Sequence, residues 1–257
     1  MAQPNIEKEI EIQHTDVITG DTDKNKYLYY QLKESISKAN KIDIIVSFLM
    51  ESGVRMILND LKSALNRGVE IRILTGNYLG ITQPSALYLI KKELDNKIDL
   101  RFYSDKNRSF HPKSYIFHYD NMSEIYIGSS NISRSALTSG IEWNYRFTSL
   151  TNKENFNEFF IKFEDLFYNH SIIIDDEELK RYSKNWHKPA LSKDLAKYDE
   201  QDNVIDIFQP RDVQIEALYA LENSRAEGAT KGLVQAATGV GKTYLAAFDS
   251  AKYEKVL

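Results

Sequence analysis

An α/β sandwich, with helices covering both faces of one mixed sheet, is the architecture this sequence predicts. Three observations carry it. Lys41 to Leu49 reads KIDIIVSFL, a short and almost fully apolar β-branched run of the kind found in strands buried on both sides. Runs like it alternate with segments whose apolar residues recur at helical spacing. The chain of 257 residues is 42% hydrophobic and 27% charged, enough apolar material for a sizeable core.

In order, residues 6–18 alternate apolar and charged around Ile6, Ile10 and Ile12 and read as a strand, which Gly20-Asp21-Thr22-Asp23 breaks. Leu28, Leu32, Ile36 and Ala39 mark a helix from residue 26 to 38. After the strand at 41–49, Val54, Ile57, Leu58, Leu61 and Leu65 mark a helix over 51–67 that stops at Gly68. Residues 69–75 form a strand and 85–94 a helix after Pro84. Strands follow at 98–103, 113–117, 124–127 and 143–150. Residues 153–168 are strongly amphipathic, with Phe156, Phe159, Phe160, Phe163, Leu166 and Phe167 on one stripe that packs on the sheet or a partner subunit. A helix over 176–186 closes this first domain, residues 1–186. Residues 187–207 lack a period and read as a linker. From 208 to 257 the text changes character: a short helix, a strand at 232–236, then a glycine-containing loop.

Composition narrows the function. The chain has no cysteine, which excludes disulfides and thiolate metal sites. No apolar run approaches the roughly 20 residues of a membrane-spanning helix, and the charged N-terminus lacks a signal-peptide core. The expected address is the cytoplasm, with no membrane partner. A net charge of −4 does not exclude DNA, because a basic groove on an acidic body still binds it.

The chemistry concentrates between Phe110 and Glu142. His111 and Lys113 are two apart and would share a face if both lay on one strand, an arrangement suited to gripping and attacking a phosphate. A second polar cluster, Gly128-Ser129-Ser130-Asn131, follows, and then Glu142. Ser130 and Ser133 read as capping or turn residues. Arg108, Arg134, Arg146 and Lys106 flank these motifs and are candidates to line a DNA groove.

His-x-Lys, then Gly-Ser-x-Asn, then an acidic residue resembles the phospholipase D superfamily over most of residues 25–170, and within it the small nucleases with one His-x-Lys per chain. Many members carry Asp five residues after the lysine; here that position is His118. The resemblance implies a phospholipase D-like sandwich in which His111 attacks phosphorus and forms a phosphohistidine. Lys113, Asn131 and Ser129 would hold the phosphate oxygens, and Glu142 would orient an active-site histidine, without a metal or other cofactor. Since no other histidine is followed by x-Lys, the second, proton-donating histidine is expected from a second copy, giving a homodimer with its active site at the interface.

Residues 236–243 have the form of a P-loop, x-x-x-x-x-Gly-Lys-Thr. Gly239 and Gly241 would turn backbone N–H groups toward phosphates, Lys242 would reach the β/γ-phosphates and Thr243 would hold Mg²⁺. Thr238-Gly239 and Lys242-Thr243, with Ala236 in place of the first glycine, resemble the first motif of superfamily 2 helicases, and Arg211 and Gln214 match that family's adenine-reading pair. The chain stops shortly after Thr243, so this segment is expected to be the truncated start of a RecA-like motor, with the rest of the motor and a recognition domain lying outside it. ATP and Mg²⁺ would serve only the complete motor. The whole resembles modification-dependent (type IV) restriction enzymes. A lipid-cleaving enzyme and a catalytically silent dimerisation and DNA-docking module are the alternatives.

Overall fold

The computed structural model describes residues 16–21, 26–94, 97–105, 107–187, 210, 212–237, 239–251 and 253. Its elements are β1 (Val17–Ile18), α1 (Leu28–Lys38), β2 (Lys41–Val46), α2 (Glu51–Asn66), β3 (Glu70–Thr75), α3 (Pro84–Glu93), β4 (Asp99–Tyr103), β5 (Lys113–His118), β6 (Ser123–Gly128), α4 (Arg134–Thr138), β7 (Asn144–Thr148), α5 (Lys153–Asn169), β8 (Ser171–Ile173), α6 (Asp176–Asn185), α7 (Val213–Ala226) and α8 (Lys242–Ser250). The strands form one sheet in the order β1-β7-β6-β5-β2-β3-β4-β8. β2, β3 and β4 run parallel, joined through α2 and α3, and every other neighbouring pair is antiparallel. The sheet is therefore mixed, as expected.

Alternation along each strand sorts residues between two cores. Ile42, Ile44, Ile71, Ile73, Tyr115, Phe117 and Tyr126 face α1, α2, α3 and α6. Ile45, Leu74, Ile116 and Ile125 face the other way, against Phe156, Phe163 and Phe167 of α5. Within the α5 stripe Phe159 is exposed and meets Phe147 at the edge of the sheet instead.

The α5 face also buries charge. Asp43 accepts two hydrogen bonds from Arg72, at 2.6 Å from Nε and 2.8 Å from Nη2. Arg72 donates further to Glu164 at 2.5 Å and to the Tyr168 hydroxyl at 3.0 Å, with Phe163 and Phe167 rings about its guanidinium. His118 Nε2 lies 2.9 Å from the second Asp43 oxygen. Burial alone would raise the Asp43 carboxyl, but His118 and Arg72 together hold it below its ordinary value.

The short segments depart most from sequence expectation. β8 and α4 were not expected, since three and five residues show no period. β8 exists because it completes the exposed edge of β4, and α4 starts because the Ser133 side chain accepts from the Ala136 N–H. The strand expected at 232–236 does not form: no strand runs beside it among the described residues, and Leu233 is 95% exposed. Residues 6–15, the linker from 188 on, Lys106, Arg211 and Thr238 lie outside the described residues.

The C-terminal segment does not stand apart. Ile215 and Tyr219 of α7 join the core beneath α3, with the Tyr88 and Tyr219 ring centroids 4.8 Å apart. Tyr219 donates to Asp176 at 2.7 Å and Ser183 to Glu216 at 2.7 Å.

Removing Asp43 takes two hydrogen bonds from the buried Arg72 guanidinium and leaves Glu164 as its carboxylate partner, so Asp43→Ala is expected to destabilise the fold by about 3 kcal/mol, read as a lower urea midpoint at unchanged slope. The depressed Asp43 pKa adds a pH signature. Its contribution is complete above the ordinary value of 3.8 and disappears as pH falls through the lower folded value, so the difference between variant and parent should shrink only below pH 3.8.

Candidate active site

The carboxyl ends of β2 and β3, the start of β5, the end of β6 and the start of β7 meet at one edge of the sheet. Val46, the last residue of β2, pairs with Lys113, the first of β5. Lys113 is only 6% exposed. Its Nζ donates to Ser47 Oγ at 3.0 Å and to the His111 carbonyl at 2.9 Å. It also lies 2.8 Å and 2.9 Å from the two nitrogens of the His111 ring. The Ser47 hydroxyl in turn donates to the Pro112 carbonyl at 3.1 Å. The ammonium thus has three acceptors and a shielded position.

Burial lowers the Lys113 pKa to about 8, opposed by the negative charge of Glu142. His111, exposed at the strand entry, is also lowered, first by desolvation and then by the Lys113 charge. The shift favours the neutral ring, whose free nitrogen offers a lone pair to an electrophile or to a hydrogen-bond donor.

Asn131 is placed by the loop that leaves β2. Its Oδ1 accepts from the backbone N–H of Ser47 at 3.0 Å and of Phe48 at 3.3 Å. Backbone N–H groups only donate, so the amide orientation is fixed and Nδ2 is left as a donor. The segment around it is packed tightly under α2. A Cβ on Gly53 would lie 2.4 Å from the Ile132 carbonyl carbon. Gly128 has the same role between β6 and β7, where a Cβ would come within 2.1 Å of the Trp143 carbonyl oxygen.

Ser129 and Glu142 are hydrogen-bonded to each other, and Ser129 is exchanged with Trp143 through both backbone and hydroxyl bonds, at 3.0 Å and 3.1 Å. The electrostatic influence of Glu142 on Lys113 ties this pair to the His111 cluster. The fold therefore gathers His111, Lys113, Asn131, Ser129 and Glu142 at one sheet edge.

The flanking arginines are more dispersed. Arg108 is exposed in the loop before His111, and Arg134 is exposed at the first position of α4. Arg146 is engaged elsewhere: it bonds buried Glu124 at 2.6 Å and Asp16 at 3.2 Å. His118, where a carboxylate would follow the lysine by five residues, reaches a carboxylate on the next strand, Asp43, and Ser123 at 3.0 Å. Ser47 was missed by sequence reasoning. Its only signal was its place as the first polar residue after KIDIIV.

In the glycine-containing loop, Gly239 and Gly241 adopt φ of +89° and +74°, which suits a turn that aims N–H groups inward, and Gly241 caps α8. Lys242 Nζ donates to the Ala236 and Ala237 carbonyls at 3.1 Å and 3.2 Å. Gln214 donates to the Val240 carbonyl at 2.9 Å, so it supports the loop itself. Thr243 lies in the first turn of α8. Among the described residues, no group of three or more His, Cys, Asp and Glu is arranged to hold a metal ion. Nor is any described helix long and apolar enough to cross a membrane.

Residues 32–170 match the family model described as "Cardiolipin synthase, PLD-like domain", and residues 207–256 match "Type III restriction enzyme, res subunit". No curated protein matches. Among solved structures, the chain is 22% identical to Nuc, a phospholipase D family member from Salmonella typhimurium, over 62% of this chain and 98% of that one, with a TM-score of 0.48. It is 17% identical to NucT from Helicobacter pylori, over 62% and 97%, with a TM-score of 0.46. For phosphatidylserine synthase from Haemophilus influenzae the identity is 13%, over 73% and 46%, with a TM-score of 0.45.

The Lys113 amine is expected to titrate near pH 8 when followed by NMR of isotope-labelled lysine, and lower still in Glu142→Gln, which removes the charge opposing the shift. The folded pKa lies below the ordinary 10.5, so the unfolded chain holds this proton more tightly. The stability contributed by Lys113 therefore rises as pH increases from about 8 to 10.5 and is lowest below that window.

Proposed function

The chain belongs to the PLD-like domain family, and from that premise we propose that it is a metal-independent DNA phosphodiesterase working through a phosphohistidine. The observation that carries the reading is the buried Lys113 ammonium held against the His111 ring, with Asn131 locked so that its amide donor is left over. A phosphodiester entering there would accept from Lys113 and Asn131. The His111 nitrogen would attack phosphorus, forming a P–N bond as the P–O bond to the leaving strand breaks. A second imidazolium would protonate that leaving oxygen, then deprotonate the water whose oxygen displaces His111. The products are an alcohol and a phosphate monoester.

The second imidazolium would come from His111 of the partner subunit in a twofold dimer, with Glu142 orienting it. An exposed apolar strip favours that arrangement. Trp143, 73% exposed and just before β7, and exposed Tyr145 stand beside Glu142, and exposed Val17 and Phe159 flank them, Phe159 through the half-buried Phe147. DNA is favoured as substrate by the match of residues 207–256 and by the glycine-containing loop at Gly239–Thr243. In a complete motor this loop would hold the phosphates of ATP, with Lys242 on the phosphates and Thr243 on Mg²⁺. The reading is thus the nuclease module of an ATP-dependent restriction enzyme, of the type IV kind.

Incubation with plasmid DNA in excess EDTA should give cutting that His111→Ala abolishes. Cutting that appears only with added Mg²⁺ would overturn the phosphohistidine route, and a folded, inactive chain would favour the silent docking module. Light scattering should give about twice the 29.7 kDa chain mass. Trp143→Asp with Tyr145→Glu is expected to yield folded monomers that no longer cut; a parent that is monomeric at micromolar concentration and still active would exclude the shared site.

A further inference from the structure

Beside His111 the carboxyl ends of β3 and β4 open into a cleft of about 630 Å³, lined among others by Leu79, Tyr103, Arg108, Phe110 and Arg181. Its wall includes Phe110, the residue that precedes the proposed nucleophile in the chain. Phe110 forms an aromatic wall, stacked on Tyr103 at 4.5 Å with the rings inclined by 19°, and it packs on Gly76, where a Cβ would sit 2.6 Å from the ring. The charges lining the cleft balance. Arg181 is paired with Glu178, and Asp105 offsets Arg108. A balanced, aromatic-walled space of this size suits an uncharged nucleobase rather than a phosphate.

The rim carries an unusual residue. Leu79 has φ of 53° and ψ of 20°, the left-handed region that an L side chain rarely adopts, and its apolar side chain is 68% exposed. The loop is held in this state from several sides. Thr82 donates to the Gly76 carbonyl at 2.5 Å, the Tyr182 hydroxyl shares its proton between the Thr82 carbonyl at 2.6 Å and Asn77 Oδ1 at 2.8 Å, and Trp186 donates to the Gly80 carbonyl at 2.7 Å. These bonds present an apolar side chain to solvent at the mouth of a base-sized cleft. Apolar wedges of this type separate stacked bases.

We propose that the cleft receives an unpaired nucleobase flanking the scissile phosphate, with Leu79 as the wedge that keeps the strand open. The inference rests on the phosphodiesterase reading, and the substrate class it adds is single-stranded or locally opened DNA. The wild-type chain should cut single-stranded oligonucleotides faster than the same sequence as duplex.

Leu79→Gly separates this role from folding, because glycine adopts the observed backbone without strain. It should lower duplex cutting about tenfold more than single-strand cutting, the equivalent of losing part of one unstacking step. In the non-cutting His111→Ala background, 2-aminopurine scanned through a duplex should brighten on binding at one position, and adding Leu79→Gly should remove that signal. His111-dependent hydrolysis of bis(p-nitrophenyl) phosphate by the wild type reports the chemistry alone. If that hydrolysis is present but Leu79→Gly leaves the duplex-to-single-strand ratio unchanged and no 2-aminopurine position brightens, the cleft proposal is overturned and the phosphodiesterase stands. If a folded wild-type chain hydrolyses neither the small ester nor DNA, both fail.

Discussion

The antiparallel register between β2 and β5 is the constraint on which the site depends. It sets Val46 opposite Lys113 at one end and Lys41 opposite His118 at the other. Polar ties fix both ends and lie on opposite faces of the sheet. Near one end His118 reaches Asp43 under α5; at the other Lys113 and Ser47 close onto Pro112 and His111 under the opposite helices. A slip of one residue would turn Lys113 toward α5 and break both ties together. Hydrophobic alternation alone favours this register, and the ion-paired Asp43 makes alternatives costly, since they would leave a buried carboxylate without its partners.

The electrostatic consequence lies in where the positive charge is kept. An ammonium in open solvent attracts an anion weakly, because water screens it. Lys113 is shielded, its charge opposed by desolvation and retained with help from Glu142. An anion brought to this position would meet a poorly screened cation, already oriented by Ser47 and the His111 carbonyl, and would strengthen its protonation. Desolvation first, and then the same positive neighbour, bias His111 toward its neutral form. One buried amine is therefore placed both to meet an anion and to bias the protonation of the ring beside it.

Much of this was legible in the residues. The run KIDIIV forms a central strand because β-branched side chains face apolar cores on both sides, and the alternation of helix and strand gave the layers. His111, Lys113, Ser129, Asn131 and Glu142 were identified by type and spacing, and strand ends bring them to one edge. What could not be read came from tertiary partners. Ser47 matters only because β5 returns beside β2. Arg146 belongs to Glu124 because that carboxylate is buried and also bonded by Ser35 and Tyr119 from other parts of the chain. Residues 232–236 have strand-like composition, but a strand needs a neighbour to satisfy its backbone, and none of the described residues supplies one.

The entry to α7 shows how closely the two motif regions share support. Asp212 lies at φ of 42°, a costly conformation for a residue with a side chain, yet its N–H is bonded to Glu51 at 3.2 Å. Arg55 donates to the Pro210 carbonyl at 2.6 Å and to Glu51 at 2.8 Å. Glu51 opens α2, whose Met50 N–H bonds the Ile132 carbonyl at 2.9 Å, one residue from Asn131. On the other side Gln214, in the first turn of α7, holds the Val240 carbonyl of the glycine-containing loop. The strained turn at Asp212 persists because these bonds over-determine it. The first turn of α2 is thus braced against the Asn131 segment on one side and the start of α7 on the other, so the loop that leads into Lys242 and the segment after β6 that carries Asn131 are linked through a common set of hydrogen bonds.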